Sequence, residues 1–236
     1  MPQDVAVESG EDVAMPRLLT GARLRTAVEE GTFIKDGVPS SVEAVKYDFH
    51  LGTRVLKACF RQPKDIDSIP EENRQVDPGE AVFVLTSERL DLPRNMIAIL
   101  APKRKLAHDG IIMLGGLAVD PLYKGHLLIG LYNFSSTPFP LLPGRKLIGA
   151  AFYELDKNEV GDFESADPTE ITDFPDELIR LIQNYRPIGL NGLEDQIVET
   201  RRQLDILRSD LTTDKQWRED FKESLNKHDQ QLGTLI

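Results

Sequence analysis

The chain has 236 residues, 40% of them hydrophobic, with a formal net charge of −11 and a sequence pI near 4.9. That length accommodates one domain with an appendage or two small ones, and the apolar content is enough for a real core. The acidic balance argues against a general nucleic-acid-binding surface, which needs clustered cations. Cys59 is the single cysteine and cannot close an intrachain disulfide, so a reducing, cytoplasmic setting is expected. Its solitude also excludes a zinc deaminase centre, which needs a Pro-Cys-x-x-Cys pair beside a further His or Cys. No apolar run is long enough to span a bilayer, and the acidic N-terminus lacks the apolar core of a secretory signal.

In chain order, residues 1–16 have little pattern and are expected to form a mobile acidic arm. Residues 20–30 predict a short helix with Leu24, Ala27 and Val28 on one face, Thr20 as its cap and Gly31 as its stop. The cleanest strand covers 44–51: Val45, Tyr47, Phe49 and Leu51 point one way, Lys46, Asp48 and His50 the other. Residues 60–76 are charged and interrupted by prolines, which predicts an excursion loop. Asp77-Pro-Gly-Glu80 is a turn, and apolar strands are expected over 81–86 and 96–101, separated by the Leu92-Pro93 break. Between residues 102 and 155 short apolar segments (IIML, HLLIGLYN, KLIGAAFYEL) alternate with turn residues, the pattern of compact all-β structure. An acidic linker follows over 156–174, then a helical tail over 175–236 that opens with a helix at 175–185. From about residue 190 a seven-residue repeat places Leu190, Ile197, Leu204, Leu211, Leu225 and Leu232 at one seam position. Leu193, Leu207, Phe221 and Leu235 take the other. A coiled coil and a helical hairpin folded back near Leu211 both satisfy that pattern.

Within 17–155, Gly116-Leu-Ala-Val-Asp120-Pro-Leu-Tyr123-Lys-Gly125, then Leu131-Tyr-Asn133 and Leu142-Pro143-Gly144, resembles the core of the dUTPase and dCTP deaminase superfamily. The order of the upstream elements is similar too: a short helix, Tyr47-Asp48-Phe49-His50-Leu51-Gly52, the Pro-Gly-Glu turn and Thr86 to Pro93. The resemblance implies a mainly β fold, a distorted barrel or jelly roll with a short N-terminal helix, followed here by the helical tail. It implies a homotrimer with pockets at subunit boundaries, a pyrimidine (deoxy)nucleoside triphosphate as ligand, and Mg²⁺. Asp120 would activate water, Tyr123 would pack under the sugar in a hairpin that includes Gly125, and Asp48 would help to hold Mg²⁺ through water.

The departures from that pattern bear on chemistry. Pro102-Lys103-Arg104-Lys105-Leu106-Ala107 stands where the family has serines that engage phosphates. Lys103, Arg104 and Lys105 attract polyphosphate by charge, with Arg104 able to fork onto two oxygens; the alternative is a solvated basic loop. Gly130 occupies the place of the deaminase glutamate, leaving no group to shuttle protons in ordinary dCTP deamination. The glycine-rich closing arm of dUTPases has no counterpart, and Arg145 and Arg186 are candidate substitutes on the phosphates. Three expectations follow: a catalytically degenerate nucleotide binder of sensing, sequestering or regulatory role, an active Mg²⁺-dependent pyrophosphatase using Asp120, or a trimeric scaffold without nucleotide. The tail could carry a protein partner. The four histidines are scattered and read as structural or surface residues.

Overall fold

The computed structural model describes residues 15–60, 62–156 and 170–184 within the first of two compact units, Met1–Pro187. In the second, Ile188–Ile236, it describes residues 197, 199–209, 215–218 and 222. Residues 1–14 of the expected N-terminal arm lie outside the described residues.

The first unit is mainly β. Its elements are β1 (Arg17–Leu18), α1 (Gly21–Glu30), β2 (Ile34–Lys35), β3 (Tyr47–Lys57), β4 (Lys64–Asp65), β5 (Gln75–Val76), β6 (Ala81–Asp91) and β7 (Met96–Pro102). They continue with α2 (Arg104–His108), β8 (Ile111–Leu114), β9 (Ala118–Val119), β10 (Lys124–Asn133), β11 (Phe139–Pro140), β12 (Lys146–Glu154) and α3 (Asp176–Asn184). A curled sheet runs β8-β10-β6-β3-β12-β7-β9, with β1 added to β12, β2 to β6 and β4 to β3; β5 and β11 pair separately. Inward side chains of the long strands share one core: Tyr47, Phe49 and Leu51 of β3, Val82 and Val84 of β6, Leu127, Ile129 and Leu131 of β10, Phe152 of β12. Each fully buried apolar side chain of that size contributes about 1.5–3 kcal/mol. An exposed ion pair contributes about 0–1 kcal/mol, so packing carries the fold.

β3 runs past the predicted end at Leu51. Its register against β6 shifts between Leu51↔Thr86 and Val55↔Val84, and a Cβ on Gly52 would lie 2.8 Å from the Leu85 carbonyl oxygen. The bulge lets one strand pair with β12 through its first residues and with β6 through its last. α1 buries Leu24, Ala27 and Val28 as expected, and Gly31 ends it at φ 60. The Thr20 cap is not made: its hydroxyl forms no capping bond, and the first helical N–H, that of Gly21, donates to Ala44 O at 2.7 Å. The charged excursion is pinned by Ile66, Ile69 and Val76, all buried in the core.

Residues 170–184, the end of the stretch read as linker together with the helix after it, join the β-unit. Ile171 forms a parallel bridge with Gly125 of β10. Phe174 and Ile182 bury against Leu56 and Leu85, with Leu178 and Ile179 beside Phe83 and Leu128. An apolar helical stripe needs an apolar surface, and the outward residues of β3, β6 and β10 provide it. The first compact unit accordingly includes α3. In the second unit residues 199–209 are helical, and Ile197, Leu204 and Leu207 of the heptad seam are more than half exposed. The other seam residues lie outside the described residues.

Candidate functional site

Asp48, second residue of β3, is fully buried although strand alternation put it on a polar face. Lysines cover it. Lys103 Nζ donates to Asp48 Oδ2 at 2.6 Å and Lys146 Nζ at 3.3 Å, while Lys46 Nζ stands 4.0 Å from Oδ1. Oδ1 itself accepts no hydrogen bond. Glu43 pairs with Lys46 at 3.1 Å and Lys103 at 3.3 Å. The Lys46 ammonium is the main reason that the Glu43 carboxyl is lowered to about 2; Asp48 and Lys103 add to it. Partial burial disfavours charge on Lys103, but its bond to Asp48 and the nearby Asp48 and Glu43 charges outweigh that and raise its pKa. Backbone geometry builds this cluster. Gly149 of β12 faces Asp48 across the ladder, and a Cβ there would come within 3.0 Å of Lys46 Cδ and 3.3 Å of Asp48 Oδ1. The Lys103 N–H donates to Leu147 O at 3.2 Å, which fixes the turn into α2.

An open groove of about 780 Å³ lies over the cluster, lined by Lys46, Lys103, Arg104, Lys105, His108 and Asp109 among others. Arg104 and Lys105 are exposed and make no ion pair among the described residues. Arg145 is engaged otherwise: it donates to Asp109 and lies 4.2 Å over the Phe139 ring. Arg186 lies outside the described residues. Lys46, Lys146 and Glu43 escaped the sequence reading. The first shared the polar side of the predicted strand with Asp48, a usable signal; Lys146 follows Arg145 and is the one that reaches the cluster.

The hairpin forms a second locus. β9 pairs with β7 at Ala98↔Val119 and Ile99↔Ala118, which sets Asp120 beside Ile97 while Lys103 follows the far end of β7. Six residues of strand separate them by about 20 Å at about 3.3 Å each. One copy of the chain therefore does not bring Asp120 together with the cationic groove. Asp120 is exposed. Tyr123 packs partly buried against the core, donates its hydroxyl to His126 O at 2.5 Å, and burial pushes its phenol up to about 12. Gly125 has φ 110, and its free side is filled: a Cβ would sit 2.2 Å from Ile171 O. His126 N–H donates to Ile171 O at 2.8 Å, and Ile171 N–H to Lys124 O at 2.9 Å.

Gly130 is crowded on its outward side. A Cβ would lie 2.8 Å from Leu114 Cβ and 2.9 Å from Phe83 Cε1. The glutamate implied there by the resemblance is thus absent and has no room. A separate polar chain links Ser41 Oγ to His50 Nε2 at 3.0 Å, and His50 Nδ1 to buried Glu88. Glu88 also accepts from Tyr47 at 2.9 Å and from the His50 N–H at 3.0 Å. It ties the Pro39–Ser41 turn and β6 to β3.

The donor set around Asp48 does not suit a hard divalent ion, which takes several oxygen ligands. Ammonium groups already hold Oδ2, and no group of three or more His, Cys, Asp or Glu that could hold a metal occurs among the described residues.

A family model described as dCTP deaminase-like matches residues 18–155. The chain belongs to the dCTP deaminase-like family. The dCTP deaminase of Pyrococcus furiosus is 32% identical over 117 residues, 49% of this chain and 71% of that protein. The deoxyuridine 5′-triphosphate nucleotidohydrolase of Blochmanniella floridana is 29% identical over 115 residues, 48% of this chain and 70% of that one. Among solved structures, the 2′-deoxycytidine 5′-triphosphate deaminase of Agrobacterium tumefaciens matches with TM-score 0.50 at 17% identity, over 62% of this chain and 53% of that chain. The chain thus spans about half the length of that structure, and the likeness establishes the β fold. Within this dCTP deaminase-like fold, no helix among the described residues is long and apolar enough to cross a membrane.

Proposed function

We propose that the chain is a nucleotide-binding homotrimer of its family that senses, sequesters or responds to a pyrimidine (deoxy)nucleoside triphosphate and does not deaminate dCTP. The observation that carries this is Gly130: Phe83 and Leu114 fill the space an acid/base side chain would need. The cationic groove supports polyphosphate binding, because Lys103, Arg104 and Lys105 present charge and donors at one rim. Assembly is part of the proposal. The hairpin and the groove lie about 20 Å apart along one strand, so a pocket using both takes them from different copies. The exposed Ile197, Leu204 and Leu207 are suited to a coiled coil that would hold copies together and offer a route to a protein partner.

The test is incubation of the full chain with dCTP and dUTP, with ammonia, pyrophosphate and melting temperature followed together. Stabilisation without ammonia or pyrophosphate is the expected result. An active pyrophosphatase is the second reading, favoured by an exposed Asp120 that makes no ion pair among the described residues and could serve as general base. Pyrophosphate release lost in Asp120→Asn would establish it and overturn the first. Absence of stabilisation by any nucleotide would leave a trimeric scaffold.

A further inference from the structure

Resting on that nucleotide-binding assignment, we propose that the groove takes its polyphosphate free of divalent cation, with the lysines at Asp48 supplying the positive charge that a metal would. Asp48 is fully buried, and its neighbours are ammonium groups at 2.6, 3.3 and 4.0 Å. A cation at Oδ2 has to displace Lys103, and one at the unbonded, buried Oδ1 still meets the Lys46, Lys103 and Lys146 ammonium groups at close range. A phosphate oxygen displaces nothing. An ammonium has three donors; Lys103 commits two, to Asp48 and Glu43, and Lys146 commits one, to Asp48. The remaining donor of Lys103, with those of exposed Arg104 and Lys105, is available to an anion in the groove. Lys46, Lys103, Arg104 and Lys105 line the groove, and its one lining carboxylate, Asp109, is paired with Arg145, so the groove is locally cationic in an acidic chain. A triphosphate already chelated to Mg²⁺ offers these groups less negative charge and fewer open oxygens. Magnesium is then a competitor of the site.

The experiment is calorimetric titration of the full chain with inorganic tripolyphosphate, dUTP and dCTP, in EDTA and in excess Mg²⁺. Binding in EDTA is expected to be about tenfold tighter, the scale of one charge-assisted contact. Binding that requires Mg²⁺ overturns the metal-free site and leaves the nucleotide assignment standing; no binding in either condition overturns both. Equal affinity for tripolyphosphate and the nucleotides removes the nucleoside part and leaves metal-free anion binding. Lys103→Met uncovers Asp48, and in this variant Mg²⁺ should strengthen binding, reversing the wild-type sign. Since that change also disturbs a buried carboxylate, Arg104→Gln serves as the second variant. It should melt as wild type does yet lose about tenfold in affinity in EDTA; unchanged affinity overturns the assignment of the rim to phosphate.

Discussion

Replacing Gly125 with alanine separates two costs that usually come together. Its backbone, at φ 110, is one that side-chain-bearing residues avoid, worth about 1–3 kcal/mol. In addition the new methyl would lie 2.2 Å from Ile171 O and 2.5 Å from Ile171 N. Those are backbone atoms, so no rotamer change relieves the overlap and the 170–174 segment has to move off β10. Two backbone bonds go with it, at about 0.5–1.5 kcal/mol each. Gly125→Ala should therefore cost about 2–6 kcal/mol, a large part of the 5–15 kcal/mol that holds a typical domain together. Gly144→Ala is the control: φ is 80 there, but a Cβ meets nothing within 4 Å, so only the conformational cost of about 1–3 kcal/mol applies. Urea unfolding gives the stabilities, and amide exchange at His126 and Ile171 reports the detached segment. Equal losses in the two variants, with Ile171 still protected, would refute the reasoning.

Further outcomes follow from the charged and crowded positions. Glu43 has its pKa lowered from 4.5 to about 2, so its contribution is complete above pH 4.5 and fades as pH falls towards 2. The melting-temperature gap between wild type and Glu43→Gln should close over that range, and added salt should narrow it at neutral pH because Glu43 is partly exposed. Lys57, fully buried, pairs with Glu80 at 3.1 Å. Lys57→Met strands that carboxylate and should cost about 3–5 kcal/mol in urea unfolding, part of it recovered when Glu80→Gln is added. Gly130→Glu should lower the melting point through overlap with Leu114 and Phe83 and still release no ammonia from dCTP; deamination by this variant would contradict the crowding.

Local patterns in the sequence carried the β architecture because alternation over Tyr47, Phe49 and Leu51 and the turn residues after residue 102 are short-range signals. The sequence drew attention to Asp48 but not to its burial, since the lysines that cover it come from residues 103 and 146, brought in by strand pairing. The same holds for Ile171, whose place on β10 has no signature in an acidic stretch. α3 showed its apolar stripe, but nothing in the stripe named the sheet face that receives it. Gly130 was visible as a missing glutamate, and only the packing of Phe83 and Leu114 showed the space to be closed.

The docked helix also sets where this domain can be cut. The stretch held in common with the family stops at residue 155. A chain ended there would bare Leu56, Phe83, Leu85 and Leu128 to water and leave the strand edge at Lys124 and His126 open, an invitation to sticky, mispaired aggregates. The residues that match the family and the residues that complete the packing of the β-unit thus mark different lengths of this polypeptide, and only the longer includes α3.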